Sequence, residues 1–65
     1  MNNKYTVYPM FARSQERTIY ANSTKSAIKK YVSFENMQLD TDKINYNKGH
    51  YYNVDGTNIF VQMIG

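Results

Sequence analysis

At 65 residues with no cysteine, the chain is too short for a large core and has no thiol for a disulfide or a thiolate metal site. Its formal charge of +3 is unevenly spread: residues 1–34 hold Lys4, Arg13, Arg17, Lys25, Lys29 and Lys30 against Glu16 alone, while residues 35–65 hold Lys43 and Lys48 against Glu35, Asp40, Asp42 and Asp55. No apolar run approaches the length of a membrane span, and no signal-like core opens the chain, so a soluble cytoplasmic protein without membrane contact is expected.

Lys4–Ala12 alternates as a strand, with Tyr5, Val7 and Phe11 on one side and Thr6, Tyr8 and Met10 on the other. Pro9 has no N–H for a ladder, which predicts a sheet edge or a bulge there. Arg13–Arg17 is a polar connection, and Thr18–Ala21 a short second strand hairpinned onto the first. Asn22, Ser23 and Thr24 are candidate N-caps for a helix over Lys25–Phe34. Ala27, Ile28, Tyr31 and Val32 form its apolar stripe, with Phe34 at the margin. Lys25 and Lys29 lie on the opposite side and Lys30 beside them.

Glu35–Asp42 reads as an irregular connector with Met37 and Leu39 tucked beneath it, followed by a third strand over Lys43–Tyr46. Asn47–Gly49 is a loop in which Gly49 suits a left-handed bulge position. Asp55-Gly56 is a strong two-residue hairpin signal, and its position sets the register. Val54 then faces Thr57, Tyr52 faces Ile59 and His50 faces Val61, making one mostly apolar face with Met63. Tyr51 opposite Phe60, and Asn53 opposite Asn58, point to the other face. The element order ββαβββ predicts an α+β fold in one small domain over residues 1–65: an antiparallel sheet with one amphipathic helix packed on one face.

Catalysis finds no support in the residues. His50 is the single histidine and falls on the apolar face. Asp40 and Asp42 lack the surroundings of a calcium loop, and no phosphate-binding or nucleophile motif is present. A non-enzymatic protein without cofactor or metal is expected.

Two surfaces remain. Tyr51 and Phe60, set among Asn53 and Asn58, can stack on bases or anchor a protein contact; the plain alternative is cross-strand packing. The Lys25, Lys29 and Lys30 face, and the Arg13 and Arg17 loop, can meet phosphates or an acidic protein; the plain alternative is a solvated surface. Abundant Asn, Lys, Tyr and Ile fit an AT-rich genome, and a tiny cysteine-free chain of this kind suits a phage or another mobile element. The expected function is inhibition or modulation of a host or defence protein by surface contact. The alternatives are a nucleic-acid-binding accessory protein and a self-assembling structural component. The small core and the unguarded last strand, Ile59–Ile64, predict a homodimer.

Overall fold

A computed structural model describes residues 2–65. The elements follow the expected order: β1 (Asn3–Pro9), a short 3-10 turn at Arg13–Gln15, β2 (Arg17–Ala21), α1 (Thr24–Phe34), β3 (Ile44–Lys48), β4 (Tyr51–Val54) and β5 (Thr57–Met63). The strands form one antiparallel sheet in the order β2-β1-β5-β4-β3, with α1 packed on one face.

The C-terminal hairpin has the register that its turn dictates. Val54 pairs with Thr57, Asn53 with Asn58, Tyr52 with Ile59 and Tyr51 with Phe60. Asp55 and Gly56 both have positive φ, 50° and 90°, which is the requirement of a type I′ turn. Gly49, at φ 59°, closes the β3–β4 connection next to a register shift between Tyr46 and Lys48.

Two edge assignments are corrected. β1 is an interior strand, paired with β2 on one side and β5 on the other. Pro9 is tolerated there because pairing with β2 ends at Val7–Arg17, so no neighbour remains on the side where its N–H is missing. The next residue, Met10, donates to the Asn58 carbonyl at 2.9 Å on the β5 side. The chain leaves the strand at that point, so Phe11 does not join Tyr5 and Val7 and is 70% exposed. β5 is likewise interior, so the last strand is not the open edge expected of it. The edges are β2 and β3.

Helix α1 begins on Ser23, whose hydroxyl accepts the Ser26 N–H at 3.1 Å. It ends in a Schellman motif. Asn36 turns left-handed at φ 52°, its N–H reaches the Ser33 carbonyl, and the Met37 N–H reaches the Val32 carbonyl. That motif folds Met37 back onto the core, where Leu39 and Ile44 join it. The connector thus covers ground that α1 leaves, since the helix packs on β2, β1 and β5.

The core lies between α1 and the sheet: Tyr5, Val7, Ile19, Ala21, Val54, Ile59 and Val61 from the strands, and Ala27, Ile28, Tyr31 and Val32 from the helix. Tyr31 is fully buried, and its hydroxyl donates to the Gln15 carbonyl at 2.6 Å. One side chain therefore fills the core and holds the β1–β2 connection. Arg17 secures the other end of the same region: it is ion-paired with Glu35 and its guanidinium lies 5.8 Å from the Phe34 ring centre.

Two outcomes follow. Gly56→Val should lower stability by about 2 kcal/mol, because a β-branched residue is strained at positive φ. Lys29→Ala, on the exposed helix face, should change it by less than about 0.5 kcal/mol. Urea titration of both variants measures the contrast, and equal losses would mean that the turn does not constrain the hairpin. Burial raises the Tyr31 phenol to about 12 from its ordinary 10, with the Glu35 charge acting in the same direction. The unfolded chain then releases this proton before the folded one does. Stability should hold below pH 10 and decline as pH rises from 10 to 12. Tyr31→Phe should flatten that decline and cost about 1–2 kcal/mol at neutral pH by leaving the Gln15 carbonyl unpaired. An alkaline decline as steep as in the parent protein would assign it to other groups.

Candidate functional site

The helix occupies one face of the sheet, and among the described residues no other α-helix or strand covers the opposite face. On that free face Tyr8, Phe60 and Tyr51 form a row across β1, β5 and β4. The Tyr8 and Phe60 rings stack with centres 4.6 Å apart and planes 15° apart, while Tyr51 meets Phe60 edge-on at 5.4 Å. Tyr8 was not among the expected site residues. Its position on the same side as Thr6 and Met10 was legible, but its pairing with Phe60 needed the β1–β5 contact.

This row is a second, smaller core as much as a platform. Tyr8 is only 6% exposed, because Phe60 lies beside it and the Arg13 guanidinium lies 5.1 Å from its ring centre. Burial raises the Tyr8 phenol above its ordinary value, and hydrogen bonding with Tyr51 pushes the same way, against the lowering effect of the Arg13 charge. The phenol is therefore neutral at physiological pH.

His50 is not on the helix-side face, where strand alternation put it. Its carbonyl does pair with the Val61 N–H at 2.8 Å, but the residue follows the left-handed Gly49 in the turn. Its ring lies 5.6 Å from that of Phe60, on the free face. His50, Tyr51 and Phe60 thereby line an open cleft of about 450 Å³. Met10 forms one wall, and Asn47, Lys48 and Gly49 form the rim opposite.

The amides build this cleft and are largely used up in doing so. The Asn58 side-chain carbonyl accepts from the Asn47 amide at 3.1 Å and from the Asn53 amide at 3.4 Å. The Asn58 amide in turn reaches the Met10 sulfur at 3.7 Å. Asn53 accepts the Gly56 N–H at 3.0 Å, which braces the hairpin turn. Asn58 thus ties both walls of the cleft to β5, and Asn53 stiffens the strand beneath. Both are positioning residues in this arrangement.

The remaining expected residues do not gather here. Lys25 and Lys29 border a shallow depression with Ser23 and Ser26 on α1, and so lie on the helix side of the sheet. Lys30 donates to the Tyr20 carbonyl at 2.7 Å on the β2 edge. Arg17 is held by Glu35 and Phe34 on the helix side. Of the basic residues expected to act with the aromatic pair, Arg13 alone shares its face, where Lys4 and Lys48 also lie at outward positions.

Among the described residues, no three His, Asp or Glu side chains gather as a metal site, and no helix is long and apolar enough to cross a membrane. The chain matches no protein-family model, no curated protein and no solved structure. Its surface chemistry carries the functional reading.

Phe60 and Tyr51 should separate structure from surface. Phe60→Ala removes the ring against which Tyr8, His50 and Tyr51 all pack, and should cost about 2–4 kcal/mol. Tyr51→Ala, at the rim of the row, should cost roughly 1 kcal/mol and leave a folded protein suited to binding experiments. Urea unfolding of the two variants gives both numbers. A Tyr51→Ala loss as large as that of Phe60→Ala would make the whole row structural.

Proposed function

We propose that this is a non-enzymatic binding protein that accepts an apolar side chain of a partner protein in the Met10–Phe60 cleft. The observation that carries the reading is the cleft itself. It has an apolar, aromatic lining, and beside it Met10 and Phe11 stand 60% and 70% exposed. Exposed methionine and aromatic side chains next to a concave apolar site have the composition of a protein-contact hot spot. The disposition of the other groups supports the same choice. The Asn53 and Asn58 amides are engaged with one another and with the turns, which leaves little to read base edges. Most of the lysines and arginines that would follow a phosphate backbone lie on the helix side or are already paired.

The size, composition and lack of cysteine fit an accessory protein of a phage or mobile element, acting in the cytoplasm. Its partner would then be a host or defence-system protein whose working surface is inhibited or modulated by being covered. A second reading, single-stranded nucleic acid, is favoured by one feature: the outward strand positions of the free face hold Lys4 and Lys48 and no carboxylate.

Site-specific photocrosslinking distinguishes these. A benzophenone side chain at Phe11 should yield one discrete protein adduct in nuclease-treated extract of the native host, and the same group at Lys29 should not. Tyr51→Ala should remove the adduct. Equal adducts from both positions, or none from Phe11, would overturn the cleft as the contact. Binding of an oligothymidylate that falls steeply with salt and is lost in Tyr51→Ala would establish the second reading instead.

A further inference from the structure

The two edges of the sheet are not equivalent. On β2 the outward Tyr20 carbonyl is occupied by the Lys30 ammonium at 2.7 Å. On β3 the outward backbone groups have no partner among the described residues. The Lys43 carbonyl accepts the Asp55 N–H, so Lys43 and Asn45 turn their backbone groups inward to β4. By strand alternation, Ile44 and Tyr46 turn theirs outward. Tyr46 is also 63% exposed, with its ring edge-on to Tyr52 at 5.5 Å on the helix side of the sheet.

We propose that β3 pairs antiparallel with β3 of a second copy, on a two-fold axis at Asn45. The segment is self-complementary in this register. Ile44 of one copy lies opposite Tyr46 of the other, twice, with all four residues on the helix side; aliphatic–aromatic cross-strand pairs of this kind stabilise a sheet. These are the residues whose N–H and C=O groups point outward, so each pair exchanges two backbone hydrogen bonds.

The devices that usually protect an edge here limit the pairing rather than prevent it. The register shift between Tyr46 and Lys48 stops the ladder after the Ile44–Tyr46 stretch. The contact is isologous and uses the β3 edge of both copies, so it closes at two; on the remaining β2 edge the Tyr20 carbonyl is already held by Lys30. The two-fold axis is perpendicular to the sheet, which puts both free faces on one side. The two clefts, each rimmed by the β3–β4 turn, then flank the junction. This pairing stands or falls independently of what the cleft binds.

The lack of native cysteine makes the test direct. Asn45 pairs with itself at a non-hydrogen-bonded position, where Cα atoms about 4.5 Å apart suit a disulfide. Sedimentation equilibrium from micromolar to millimolar protein should give a monomer–dimer equilibrium. Asn45→Cys treated with diamide should form a linked dimer much faster than Thr18→Cys on the β2 edge. Tyr46→Glu should weaken dimerisation about tenfold, because it removes both Ile44–Tyr46 cross-strand pairs and sets two carboxylates at the junction, while Lys29→Glu on the helix face should leave it unchanged. A single-chain mass throughout the range would overturn the proposal. So would a dimer in which Asn45→Cys links no faster than Thr18→Cys, because the contact would then lie elsewhere.

Discussion

The pairing of β1 with β5 is the contact on which the rest of this molecule depends. Without it the chain is two separate pieces: a hairpin with its helix, and a three-stranded meander. Neither piece could bury its apolar face alone. Joined, they bring Tyr5 and Val7 beside Val61 on the helix side, and Tyr8 against Phe60 on the other. One backbone ladder therefore builds the main core and the aromatic row together. It also moves the edges outward to β2 and β3, which decides where another chain can attach.

The two faces of the sheet have taken different roles. On the helix side, α1 and the connector after it act as one cover, continuous through the Asn36 cap. On the free side the aromatic residues pack against one another. Arg13 lies over Tyr8, and the Asn58 amide holds the walls of the cleft. A chain of this size has little apolar surface to spare. A row that both stabilises the sheet and lines a cleft is an economical use of three rings. The same economy means that the residues cannot be divided cleanly into structural and functional ones: Phe60 supports its neighbours, while Tyr51, Met10 and Phe11 offer surface.

Charge follows a similar division. The excess of basic residues in the first half suggested one positive surface, but the fold distributes it. Arg17 stabilises the end of the helix, Lys30 holds the Tyr20 carbonyl at the β2 edge, Lys25 and Lys29 face away from the aromatic row, and Arg13 covers a ring. Counting charges along a chain overstates the field at any one site, because each long side chain is free to find the nearest partner.

Local chemistry by itself determined a good part of this protein. Asp55-Gly56 requires positive φ at two successive positions, and that alone sets the register and the facing of Tyr51 and Phe60. Ser23 and the Ala27–Val32 stripe likewise mark the helix and its buried side. These are short-range constraints, satisfied within a few residues of where they are written. What only the tertiary structure decided were contacts between distant segments: β1 inside the sheet and not at its edge, Tyr8 stacked on Phe60, the Tyr31 hydroxyl on Gln15, and His50 swung to the free face. The helix C-cap at Asn36 is intermediate, a local motif written without the glycine that usually marks it. Pro9 misled because a missing N–H excludes pairing on one side only, and whether a neighbour stands on that side depends on where another strand ends.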